Sequence, residues 1–79
     1  MGLLDRLDRY LIDSEYRINI YKDGVHIINY LEVVDFSNTK VVVRYREGTT
    51  IIEGENLVVS KMMDDELLIT GKLKVLKYN

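Results

Sequence analysis

The sequence predicts a small all-β domain of antiparallel strands, a β-sandwich by first choice and a partly open small barrel by second, preceded by a short amphipathic helix. Three observations carry this. From Tyr16 onward, apolar and polar residues alternate with a period of two, the period of a strand with one face buried. The runs are closely spaced and joined by tight turns, which leaves no room for crossover helices and favours antiparallel neighbours. Two stretches also rhyme: Ile52-x-Gly54 leads to Val58, and Ile69-x-Gly71 leads to Val75. A β-branched residue, a polar residue, a glycine and a renewed alternation describe a strand that bends and continues.

The chain has 79 residues, which implies one domain over 1–79, with a helix at 1–12 and a β domain at 16–79. A core this small supplies roughly 3–5 kcal/mol. There is no Cys, hence no disulfide framework and no thiolate metal site. Oligomerisation is the remaining route to stability, so a homo-oligomer stays open. The net charge of −2 gives no overall attraction to nucleic acid or anionic lipid. No apolar run approaches the ~20 residues that span a bilayer, and no secretory leader is visible. A cytoplasmic protein is expected.

Taken in order, Leu3, Leu4, Leu7 and Leu11 fall on one helical face, with Asp5, Arg6, Asp8 and Arg9 opposite. Such a short helix is marginal alone, so its stripe must be buried. It would pack on the chain's own sheet, on a second subunit or on a partner protein, and these leucines are the candidate protein interface. A membrane surface fits less well because acids balance bases on the polar face. Asp13-Ser14-Glu15 ends the helical pattern. Tyr16, Ile18 and Ile20 then alternate with Arg17, Asn19 and Tyr21, and Lys22-Asp23-Gly24 makes a hairpin turn. Val25 and Ile27 resume the inward face; Leu31, Val33 and Asp35 alternate with Glu32, Val34 and Phe36. Ser37-Asn38-Thr39 turns the chain into the strand from Lys40 to Arg46, with Val41, Val43 and Tyr45 on one face. Met62 to Glu66 is the loop between the rhyming stretches. The expected core is Ile18, Ile20, Val25, Ile27, Val41, Val43, Ile52, Val58, Ile69, Leu73 and Val75. Gly24, Gly54 and Gly71 are the candidate structural glycines.

Chemistry finds little foothold. His26 reads as a half-exposed strand residue, since a general base needs a partner that sequence cannot supply. Asp64-Asp65-Glu66 lacks the spaced ligands and turning glycine of a calcium loop and reads as a solvated turn. Lys40, Arg44, Arg46, Lys72 and Lys74 would form a basic stripe, and Tyr21, Tyr30 and Tyr78 would offer stacking faces. Basic residues on outer strand faces are ordinary edge protection, so nucleic acid is disfavoured. Tyr16 and Tyr45 read as core-facing or half-buried. No catalytic, cofactor-binding or metal-binding residues are assigned, and a non-enzymatic protein is expected.

The run from Arg17 to Tyr78 resembles the YabP/YqfC family of bacterial sporulation proteins. The matching features begin with Arg17-Ile18-Asn19-Ile20, the run from Gly24 to Tyr30, and the run from Leu31 to Ser37. The closing half matches best, with Ile51-Ile52-Glu53-Gly54-Glu55-Asn56-Leu57-Val58-Val59 and then Glu66 to Leu76. The resemblance covers about four-fifths of the chain. It departs before the first strand, where only the helix and Asp13-Ser14-Glu15 stand. The resemblance implies a small sandwich-type domain made in the mother cell, a role in spore envelope or coat assembly, and protein partners, in some members a forespore-membrane protein. It implies no catalytic residues and no cofactor. The alternative function is a small binding module for nucleic acid or another ligand.

Overall fold

The computed structural model describes residues 15–78, so the helix expected over 1–12 lies outside the described residues. The described chain is all-β. Its strands are β1 (Arg17–Tyr21), β2 (Gly24–Ile28), β3 (Glu32–Phe36), β4 (Lys40–Tyr45), β5 (Gly48–Met62) and β6 (Glu66–Tyr78). All neighbours are antiparallel. They form one open six-stranded sheet in the order β1-β2-β6-β5-β4-β3. A meander accounts for β3 to β6, whereas the β1–β2 hairpin attaches to the far side of β6. Among the described residues the strands form this one sheet and not the two separate sheets expected of a sandwich, because β5 and β6 run through both of its halves.

Chain reach shows that this sheet is not flat. From β2 to β3 is four strand spacings, about 19 Å in a planar sheet. The link from Ile28 to Glu32 is four residue steps, at most about 14 Å. The sheet must therefore curl to bring these strand ends together. The link bonds to both halves of the fold: Asn29 N–H donates to the Asp65 carbonyl (2.6 Å), and Leu31 N–H to the Arg44 carbonyl (2.8 Å). Asn29 takes φ 67° at the corner, a left-handed conformation that Asn tolerates better than most residues.

Extra residues in the long β5–β6 pair supply the curl. Lys74 is extra on β6 opposite Glu53 and Gly54; Asn56 and Leu57 loosen β5 opposite Gly71; Ser60 is extra on β5 opposite Ile69 and Leu68. Each bulge increases local twist and changes which face the following residues occupy. At the middle bulge Asn56 has φ 53° and Gly71 φ 128°. A side chain at Gly71 would strike the Asn56 carbonyl oxygen at 2.6 Å. A Cβ at Gly54 would be driven into the Lys72 carbonyl oxygen. Gly24 is the first residue of β2 and lies outside the left-handed region, unlike the hairpin glycine expected from Asp-Gly. A Cβ there would meet the Ile69 carbonyl oxygen at 2.7 Å.

The register lays the core out in cross-strand rows. Ile20, Val25, Ile69 and Val59 form one, and Ile18, Ile27, Leu67 and Met62 the next. In the other half, Phe36, Val41, Ile52 and Leu76 form one row, and Val33, Val43, Thr50 and Tyr78 another. Buried residues from both halves join in a single cluster: Val25, Ile27, Tyr30, Val41, Val43, Ile52, Leu57, Leu67 and Ile69.

Three expected core residues are corrected. Val58 is 56% exposed and Leu57 only 6%, because the bulge at Asn56 advances the inward positions by one. Val75 is 38% exposed, because Lys74 does the same on β6 and hands the inward place to Leu76. Ile20 faces the core side but is 58% exposed, since β1 is an edge strand. Ile18 and Leu73 are half-buried. On β3 the extra residue Val34 breaks the simple alternation and puts Val33 and Phe36 on the same face.

Ile69→Ala removes a side chain that is 1% exposed at the centre of the cluster. It should lower stability by about 2–5 kcal/mol, read from denaturant midpoints; a shift near zero would show that the core lies elsewhere. Gly54→Ala should cost at least about 3 kcal/mol, whereas the same change at Gly48, which opens β5, should cost far less. Equal losses would show that the β5–β6 approach at Gly54 is not tight.

Candidate protein-interaction surface

Three tyrosines gather where the described chain begins. Tyr16 precedes β1, Tyr45 ends β4, and Tyr78 ends β6 opposite Thr50. The Tyr16 and Tyr45 rings stack at 4.0 Å between centroids and 5° between planes. Tyr78 meets Tyr45 edge-on at 6.3 Å and 82°, so the three rings form a continuous aromatic wall. Together with Leu31 and Asn29 they line an open groove of about 870 Å³, rimmed by Glu15, Arg46 and Glu47.

Beneath the wall, the Tyr16 hydroxyl donates to Thr50 Oγ1 at 2.9 Å. Thr50 is fully buried, so this bond satisfies a polar atom that water cannot reach. Burial pushes the Tyr16 phenol above its ordinary value of 10.0, against the opposing pull of the Thr50 hydrogen bond. Rigid rings flanked by both signs of charge suit the binding of protein side chains, because aromatic contact area costs little side-chain entropy.

The other singled-out residues fall elsewhere. Leu3, Leu4, Leu7 and Leu11 lie outside the described residues. Tyr30, read as a stacking face, is instead buried in the core, where its hydroxyl donates to the Met63 carbonyl at 2.7 Å. Burial, and then the charges of Asp64 and Asp65, raise its pKa. His26 is half-buried and does find a partner: its Nε2 lies 3.0 Å from Glu66 Oε1. The pair spans β2 and β6, and a cross-strand link between them accounts for it. The expected basic stripe is interrupted by acids. Arg44 pairs with Glu32 at 2.6 Å, and Lys74 Nζ with Glu55 at 2.7 Å. The Lys74 hydrogen bond and charge hold the Glu55 carboxyl below its usual range. Among the described residues no three His, Cys, Asp or Glu side chains converge as a metal site would require, and no helix is long and apolar enough to cross a membrane. The aromatic wall was only half legible in sequence: Tyr16 and Tyr45 read as core-facing or half-buried, but nothing local joined them to Tyr78, more than thirty positions away.

Comparison with known proteins places this architecture. The model of the YabP family matches residues 16–79, a span that takes in every strand. "Uncharacterized protein YqfC" of Bacillus subtilis (strain 168) is 30% identical over 54 residues, which cover 68% of this chain and 58% of that protein. The chain thus aligns with little more than half of this curated relative. No solved structure matches.

Tyr16→Phe should cost about 1–3 kcal/mol by leaving Thr50 buried without its donor. The cost should also depend on pH. The folded state keeps the Tyr16 proton above pH 10 whereas the unfolded chain releases it near 10, so stability falls as pH rises through that range. The gap between wild type and Tyr16→Phe should therefore narrow from pH 9 to 11 in thermal melts. A gap independent of pH would mean that the phenol titrates normally.

Proposed function

Because this chain belongs to the YabP family, we propose that it is a sporulation-associated protein that acts without catalysis, as a small scaffold or protein-interaction module in spore envelope or coat assembly. The observation that carries the reading is that the family match spans the entire sheet, bends and glycines included. The stretches around Gly54 and Gly71, both inside the matched span, are the ones that shape this fold, which supports reading the protein as a presenter of surfaces.

On this reading the protein works in the mother-cell cytoplasm, at the periphery of the forespore membrane, beside a membrane-anchored partner. The leucines Leu3, Leu4, Leu7 and Leu11 supply the apolar part of the interface. The tyrosine groove supplies its aromatic part, with Tyr16, Tyr45 and Tyr78 above a rim of Glu15, Arg46 and Glu47. Apolar leucines, aromatic rings and a mixed-charge rim together match an amphipathic segment of a partner protein.

A fluorescent fusion followed through sporulation tests this. The signal should arise only in the mother cell and ring the forespore. Leu7→Asp and Tyr78→Ala should each release the ring into the cytoplasm without changing the protein's level. A diffuse signal in vegetative cells, unaltered by either substitution, would sink the proposal.

A further inference from the structure

Among the described residues the sheet has four outer edges: β1, β3, the far end of β5 (residues 57–62) and the far end of β6 (residues 72–78). Exposed edges invite pairing with another chain, and proteins blunt them with bulges and charges. Three of these edges are blunted. β3 carries the bulge at Val34 beside Asp35. The end of β5 carries the extra Ser60 beside Lys61, and the end of β6 carries the extra Lys74 between Lys72 and Lys77. β1 is different. Its five pairs with β2 run without a register shift, no charge lies between Arg17 and Lys22, and Ile20 and Tyr21 are each 58% exposed.

We propose that the outer edge of β1 docks a second copy of this chain, strand against strand, on a two-fold axis through Asn19. The sequence Arg17-Ile18-Asn19-Ile20-Tyr21 is self-complementary in that register. Asn19 lies opposite the partner's Asn19, where the two amides can hydrogen-bond. Ile18 lies beside the partner's Ile20 on the core face, and Ile20 beside the partner's Ile18. The exposed Ile20 is thereby covered, and the row Ile20, Val25, Ile69 continues across the axis. On the outer face Arg17 lies over the partner's Tyr21, a cation–π pair made twice. Sliding by two residues, the smallest slip that keeps each face, loses both Arg–Tyr pairs and sets Asn19 against Arg17 or Tyr21. The interface is isologous and closes at two copies, as two-fold pairing requires. Self-complementarity is the reason to name a second copy and not an unrelated peptide: an arbitrary strand would satisfy the backbone but not all three side-chain pairings.

The 79-residue chain has no Cys, so a single introduced thiol reports the register. Directly opposed positions hold their Cβ atoms about 4.5–5.5 Å apart, close to disulfide geometry. Asn19→Cys should cross-link into a dimer under mild oxidation at least tenfold faster than Arg17→Cys, whose thiols would lie about 13 Å apart, four residues along the strand. Adding Ile20→Lys to Asn19→Cys should abolish the cross-link. Ile20→Lys alone should convert a sedimenting dimer to a monomer while keeping its melting temperature at low concentration, because Ile20 does not contribute to the buried cluster. Equal cross-linking of Asn19→Cys and Arg17→Cys, persistence of the cross-link with Ile20→Lys, or a wild-type chain that sediments as a monomer at millimolar concentration would each overturn the proposal.

Discussion

The pairing of β5 with β6 is the constraint on which the other contacts depend. These are the two longest strands, 15 and 13 residues, and every other strand reaches the sheet through one of them. Their first halves pair with β4 and β2 respectively. A straight ribbon of this length would hold those neighbours far apart. The extra residues Lys74, Asn56 and Ser60 bend it, and the bend allows one chain of so few residues to gather β2 and β4 side chains into one cluster. Backbone contacts at the bend are close enough to exclude side chains at Gly54 and Gly71. There the backbone itself is the packing surface, and shape matters more than hydrophobic area.

The short link after β2 shows the same economy. Asn29, Tyr30 and Leu31 bridge from one half of the sheet to the other, and each binds what it passes. Asn29 and Leu31 bond to backbone on either side, and Tyr30 turns inward to join the core while its hydroxyl reaches Met63. A buried tyrosine with its hydroxyl satisfied contributes ring burial without an orphaned polar atom. Tyr16 and Thr50 repeat the device. Indeed, no buried side-chain polar atom among the described residues lacks a partner.

The surface divides along the same lines. Three edges are made unattractive to other strands by bulges and charges, and the bulges that do this on β5 and β6 are also the ones that bend the sheet. One irregularity therefore serves both curvature and solubility. The smooth edge of β1 and the tyrosine wall adjoin each other, since Tyr16 directly precedes β1.

Local chemistry was legible in the sequence. The period of two marked the strands, Asp23-Gly24 and Ser37-Asn38-Thr39 marked the turns, and the two glycines marked the bend. Inward faces were readable up to the first bulge of each strand: Val25, Ile27, Val41, Val43 and Ile52 are all buried. Beyond a bulge they were not, since one extra residue reverses the parity and nothing in Glu55-Asn56-Leu57 or Lys72-Leu73-Lys74 says locally that a residue is extra. A bulge is a property of two strands counted against each other. The strand order, the exposure of Ile20 at an edge, the inward turn of Tyr30 and the meeting of Tyr16, Tyr45 and Tyr78 likewise depend on partners distant along the chain. The sequence by itself determined the elements and their inner faces, because these follow from neighbours two residues apart; only the tertiary structure decided the edges, the bend and the groove, because these follow from which strands meet.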